Sequence, residues 1–259
     1  MAFSIKRLHS RAEIYSFLKK DRFYAAYAIG DLEPALFEQC EWYASLRSGH
    51  LTALCLCFTG LPPDRLFLMG AVEDLAHILG NVTTAARAYI SCRAQHLNVL
   101  KRFYSLSRIE VMLRMVLEPE NFNPVEGRVE RLGPGDVTLL QDLYRRYGDV
   151  AFAPYQLDRG VFYGVKLDGR LVATAGTHLV SRTYRLGVVG NVFTHPQYRG
   201  MGHAAVCTSA VVEELLSLSL DVALNVAQRN EAASKLYRGL GFDTYCTFIE
   251  ALGVRQGAQ

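Results

Sequence analysis

The segment Asn191-Val-Phe-Thr-His-Pro-Gln-Tyr-Arg-Gly-Met-Gly-His-Ala204 constrains the fold more than any other part of the chain. Its apolar, strand-like beginning stops at Pro196, which has no N–H to give to a sheet ladder. Gly200 and Gly202 follow, and Cys207, Val211, Leu215 and Leu218 then recur at helical spacing. A strand, a tight glycine turn and a helix must therefore succeed one another within a short span. Glycines at that junction leave the N–H groups of the helix N-terminus bare. Together with the helix dipole they favour a phosphate or pyrophosphate. A lone Gly-x-Gly is weak; its place between a strand and a helix gives it weight.

The rest of the second half keeps the same alternation. Residues 129–132 read as a strand, a helix follows Gly133-Pro-Gly-Asp136, and a looser helical piece covers 154–159. Residues 162–167 and 170–179 form a hairpin across Asp168-Gly169, and 184–194 is the next strand. A buried strand at 222–226, a helix at 230–240 closed by Gly241 and a strand at 245–252 complete it.

The first half has a similar rhythm: strand 4–8, a helical stretch 11–30, and a hairpin of 42–47 and 51–58 across Ser48-Gly49. Strand 65–69, helix 73–79, strand 88–92, helix 97–104 and strand 109–117 follow. Lys101-Arg-Phe-Tyr104 precedes the last strand of this half much as Lys235-Leu-Tyr237 precedes that of the other, so the pattern reads as a divergent internal duplication. The polar stretch 118–127, with two prolines and a glycine, reads as a linker, which gives expected domains 1–120 and 128–259. The first half has no Gly-x-Gly after strand 65–69. Glu73 and Asp74 stand where an anion would dock, so this copy is expected to bind no phosphate ligand.

Composition bounds the function. Of 259 residues, 50% are apolar, enough for two cores. A net charge of +3 offers no platform for nucleic acid. The N-terminus has no apolar signal region, and the longest apolar stretch, 51–61, is far short of the roughly 20 residues a membrane span needs. The expectation is a cytoplasmic protein with no membrane partner. Its six cysteines (40, 55, 57, 92, 207 and 246) form no CxxC pair and read as reduced, buried thiols. Cys55 and Cys57 have no His or further Cys neighbours, so no metal is expected.

Two motifs narrow the ligand. Val192, Thr194, Pro196, Arg199, Gly200, Gly202 and Ala204 stand as V-x-T-x-P-x-x-R-G-x-G-x-A. Downstream, Asn230, Ala233, Tyr237, Gly241 and Phe242 stand as N-x-x-A-x-x-x-Y-x-x-x-G-F. The pair, in this order and on these elements, resembles the GNAT superfamily of acyl-CoA-dependent N-acetyltransferases over about residues 128–252. The whole chain resembles the two-domain type, whose N-terminal GNAT-like half is degenerate. The implied fold class is α/β (α+β): two tandem GNAT-like domains, each a central mixed, mostly antiparallel sheet flanked by helices.

The resemblance also implies acetyl-CoA as co-substrate and acetyl transfer to an amine. Val192, Phe193 and Thr194 would hold the pantetheine arm and the acyl carbonyl on a strand that splays from its neighbour at a bulge. Gln197, Arg199, Gly200, Met201, Gly202, His203 and Ala204 would cradle the pyrophosphate. Asn225, Asn230, Ala233 and Tyr237 complete the implied cofactor contacts. Tyr237 would also bond the sulfur and protonate the departing thiolate, a role suited to a phenol that is neutral at pH 7.

Many relatives take the amine proton with a glutamate on the central strand, but residues 184–194 contain no acid. His178, ending the strand pattern 172–178, is the candidate base, because an imidazole titrates in the useful range. No cysteine has an evident activating partner, so direct attack in a ternary complex is expected. The acceptor is expected to be a small-molecule or peptide amine, with Tyr155, Asp158 and Asp31 as polar candidates near it; the protein is expected as a monomer or homodimer. The alternative reading is a non-catalytic CoA-binding sensor or scaffold.

Overall fold

A computed structural model describes residues 3–82, 85–147 and 152–257. The chain divides into two compact units. Unit 1 comprises Met1–Leu113, Ala227–Arg229 and Cys246–Gln259; unit 2 comprises Arg114–Val226 and Asn230–Tyr245.

Unit 1 runs β1 (Phe3–Leu8), α1 (Arg11–Leu18), α2 (Ala26–Gly30), α3 (Pro34–Phe37), β2 (Cys40–Arg47), β3 (His50–Phe58), β4 (Asp64–Gly70), α4 (Val72–Asn81), β5 (Arg87–Cys92), α5 (Leu97–Leu100) and the first part of β6 (Tyr104–Leu117). Strands β1 to β4 pair antiparallel in sequence order, and β4 pairs parallel with β5. The β2–β3 hairpin turns at Ser48 and Gly49, both at positive φ, as a two-residue turn matched to strand twist requires. Leu75, Ile78 and Leu79 of α4 are fully buried against Leu66, Leu68 and Ile90. Each such side chain contributes roughly 1.5–3 kcal/mol of transfer free energy.

Unit 2 runs from the end of β6 through β7 (Glu130–Arg131), α6 (Val137–Tyr147), α7 (Tyr155–Arg159), β8 (Tyr163–Leu167), β9 (Arg170–Ser181), β10 (Leu186–Thr194), α8 (His203–Ser217), β11 (Asp221–Ala227) and α9 (Glu231–Gly239) to the start of β12 (Asp243–Arg255). Strands β7 to β10 pair antiparallel in sequence order, and β10 pairs parallel with β11. Leu132, Leu140, Leu143, Tyr144, Leu157, Phe162 and Leu171 pack one core, and Cys207, Val211 and Leu215 of α8 are fully buried. Gly187 lies under Leu215, where a Cβ would strike its side chain. Both units are thus mixed, mostly antiparallel sheets flanked by helices.

Four expectations change. The expected division 1–120 and 128–259 gives the whole last strand to the second domain, whereas β12 from Cys246 onward belongs to unit 1. There it pairs antiparallel with β5, Ile249 opposite Cys92 and Val254 opposite Arg87. The stretch 118–127 is packed on unit 2: Asn123 N–H donates to Leu240 O (3.1 Å), and Val125 N–H donates to Ser209 Oγ (2.8 Å). The helical stretch 11–30 breaks after α1, which lets Tyr24 enter the core and donate its hydroxyl to Leu68 O at 2.7 Å. The helix expected at 97–104 ends at Leu100, because Tyr104 opens β6 and buries its ring, its hydroxyl donating to Ala85 O. No described helix is long and apolar enough to cross a membrane.

Candidate active site

Strands β10 and β11 run side by side only from Leu186 opposite Asp221 to Val189 opposite Leu224. Past that point β10 bulges against β9: its partners step from Gly190–Gly176 to Phe193–Thr174. Asn191 takes the extra-residue position at φ 53°, the left-handed region that Asn tolerates better than most side chains. Its carbonyl accepts from the Tyr144 hydroxyl (2.8 Å), and its Nδ2 donates to Thr177 O (3.3 Å). Val192, Phe193 and Thr194, all partly buried, therefore follow a kink where pairing with β11 has ended.

The loop beyond is built for exposure of backbone. Pro196–Tyr198 form a 3₁₀ turn, and His195 Nδ1 accepts from Gln197 N–H at 3.2 Å. Arg199 is anchored by Nε to Thr194 O (3.2 Å), with its guanidinium 5.8 Å from the Phe193 ring centre. Gly200 and Gly202 lie at φ 77° and 82°, which glycine adopts without strain. A Cβ on either would meet nothing within 4 Å, so the space above the loop is open. Gly202 is the N-cap of α8 and supplies no side-chain cap; the first turn of α8 holds no acid. Met201 projects into solvent at 62% exposure, while His203 and Ala204 open the helix, partly buried.

On the kinked part of β10, Asn191 Oδ1 and Thr194 Oγ1 are buried with no hydrogen-bond partner among the described residues; the same is true of Asn225 Oδ1 on β11 and Ser234 Oγ on α9. Buried polar atoms are nearly always satisfied, so the two orphans on the kinked strand, next to the open loop, suit a polar ligand. Asn225 follows the last registered residue of β11. Asn230 caps α9, its Oδ1 accepting from Ala233 N–H at 3.1 Å. Ser234 and Tyr237 form the buried face of α9. Tyr237 packs edge-on to Phe242 (6.2 Å between ring centres). Burial pushes its phenol up to about 12, so it stays protonated at neutral pH.

His178 does not end its strand: β9 continues to Ser181, and His178 sits at an irregularity between Thr177 opposite Val189 and Leu179 opposite Val188. Its ring lies where a Cβ on Gly190 would stand, which places the imidazole beside the kinked part of β10. Its carbonyl accepts from Gln156 Nε2 at 3.4 Å, tying α7 to β9. Tyr155 and Asp158 lie on α7, and Asp31 belongs to unit 1. Tyr144 and Gln156 were not singled out from the sequence, where Tyr144 is one apolar position among several on its helix. No metal-binding group of His, Cys, Asp and Glu occurs among the described residues.

In unit 2 a parallel strand pair thus parts and leads into a glycine-capped helix, with a buried tyrosine on the next helix. Residues 136–242 match the model of the acetyltransferase (GNAT) family, so the chain carries a GNAT acetyltransferase domain. Among solved structures, a Drosophila protein superposes with a TM-score of 0.76 at 12% identity, covering 96% of this chain and 98% of that one. A tandem GNAT protein from the clavulanic acid biosynthesis pathway is similar along 100% of both chains, with TM-score 0.63 and 12% identity. An acetyltransferase of the GNAT family from Colwellia psychrerythraea is similar over 97% of this chain and 99% of its own, with TM-score 0.58 and 14% identity. At these identities the likenesses establish the fold, including the tandem arrangement. No curated protein matches the sequence.

Proposed function

We propose that the protein is an N-acetyltransferase that moves an acetyl group from acetyl-CoA to an amine by direct attack in a ternary complex. The observation that carries this reading is the kink at Asn191: pairing with β11 stops, Asn191 Oδ1 and Thr194 Oγ1 are buried without a partner, and the strand leads into a bare helix N-terminus. These residues fit acetyl-CoA. The N–H groups of Arg199 to Ala204 suit its pyrophosphate, and Val192 to Thr194 with Asn225 and Asn230 suit its pantetheine arm. In the reaction, the amine nitrogen bonds to the thioester carbon, the C–S bond breaks, His178 takes the amine proton, and Tyr237 protonates the leaving thiolate.

A cysteine acyl-enzyme is disfavoured. Burial pushes the thiol of Cys207, in the core of unit 2, up to about 12, so it is a poor nucleophile. The absence of an acid from β10 keeps a second reading in play, a CoA-binding sensor that does no chemistry. One experiment separates the two: acetyl-CoA is titrated into the protein, and free thiol release is then followed across a broad panel of amines. Turnover with any amine, lowered about 10²-fold in His178→Gln with loss of the acid limb of its pH profile, supports the enzyme and its base. Binding without turnover supports the sensor.

A further inference from the structure

We infer that Tyr144 is a positioning residue that strengthens the Val192 N–H as a donor to the thioester carbonyl. The inference rests on the acetyl-transfer reading and concerns a residue outside its two motifs. Tyr144 is 3% exposed, and its ring already packs against Phe152 (5.6 Å) and Phe193 (6.2 Å), so a phenylalanine would satisfy packing. What packing does not explain is the hydroxyl, which donates to Asn191 O at 2.8 Å.

That carbonyl belongs to the same planar, trans peptide unit as the Val192 N–H, and the two groups point in opposite directions. A hydrogen bond donated to the carbonyl draws electron density toward oxygen and leaves the N–H a stronger donor; the gain is about 10–30% per bond in condensed phase. Asn191 is gripped from the other side by its own Nδ2 on Thr177 O, at a left-handed φ that few side chains hold unaided. Tyr144 and Thr177 thus fix the direction of the peptide at the point where β10 has lost its partner on β11. Burial also pushes the Tyr144 phenol up, so the group stays a donor throughout the working pH range. An N–H aimed in advance at the place where negative charge develops acts without reorganisation during the reaction.

The test compares wild type with Tyr144→Phe in three readouts. In the free protein, the carbonyl ¹³C resonance of Asn191 is expected to move upfield in the variant. With ¹³C-labelled acetyl-CoA bound, the infrared band of the acetyl carbonyl is expected at higher frequency in the variant. The kcat is expected to fall roughly tenfold with CoA affinity within about twofold, a smaller loss than the 10²–10³ seen when a direct oxyanion donor is removed. An unmoved Asn191 resonance, an unmoved carbonyl band, or a variant that only melts earlier while keeping its kcat overturns the role. Failure of wild type itself to bind acetyl-CoA overturns the cofactor reading and this inference with it; binding by wild type with an unchanged band in the variant overturns this inference alone.

Discussion

In unit 1 the parallel pair β4–β5 is in register from Asp64 opposite Ala88 to Phe67 opposite Ser91, and α4 starts directly at Val72. In unit 2 the corresponding pair β10–β11 is in register from Leu186 to Val189, but α8 starts only at His203, after a kink, a 3₁₀ turn and two glycines. The helix ends differ to match. The first turn of α4 contains Glu73 and Asp74. Asp74 is 1% exposed and ion-paired with Arg47 at 3.1 Å. The first turn of α8 contains no acid, and its cap is open to solvent. The same dipole is therefore met by the chain's own carboxylate in one unit and by no carboxylate of its first turn in the other. The two copies thus differ in the geometry between strand and helix and in the charge of a single turn.

The comparison can be broken at three points. The largest effect is expected at Tyr237: Tyr237→Phe should lower kcat by about 10²-fold or more with little change in CoA affinity, measured by steady-state kinetics beside an equilibrium titration. Equal loss of both, or no loss, removes it from the acid role. A second substitution gives unit 2 the carboxylate of unit 1. Ala205 holds the third position after the cap of α8, as Asp74 does in α4. Ala205→Asp should weaken CoA binding about 10- to 30-fold, since the dipole and charge terms at a helix end reach roughly 2 kcal/mol. Unchanged binding in a calorimetric titration would mean that the helix end of α8 is not the anion site.

The smallest effect is in unit 1. His96 Nε2 bonds Gly70 O (3.0 Å) just before α4, and burial lowers its pKa below 6.5. The folded state therefore holds His96 neutral, while the unfolded chain takes up a proton near its ordinary pKa. Its contribution is complete above that value and is lost as pH falls toward the folded pKa. Wild type should thus lose more stability than His96→Gln between pH 7 and pH 5, as read from urea midpoints. Parallel losses would show that His96 does not carry the effect.

Much of this was legible before the fold. The hairpins at Ser48-Gly49 and Asp168-Gly169 adopt the positive φ values their residues suit, and the elements of unit 2 begin and end within a few residues of the periodicity that marked them. The glycine turn and the buried stripe of α8 were equally plain, because each signal is carried by neighbours in sequence. Other features were not. The bulge at Asn191 depends on a mismatch between two strands, and the Tyr144 hydroxyl finds its partner 47 residues away. His178 looked like a strand end because the strand irregularity beyond it has no local marker.

The sequence by itself determined the order and type of most elements, the tight turns and the bare helix end, since these follow from backbone φ preferences and from the period of apolar residues. Only the tertiary structure decided that the last strand closes unit 1, that 118–127 is strapped to unit 2, and that Asp74 is neutralised by Arg47. These are choices among distant partners. A strand's edge accepts any ladder, and a buried charge accepts any opposite charge. The partner is fixed by how the whole chain packs, to which no local stretch of sequence holds the answer.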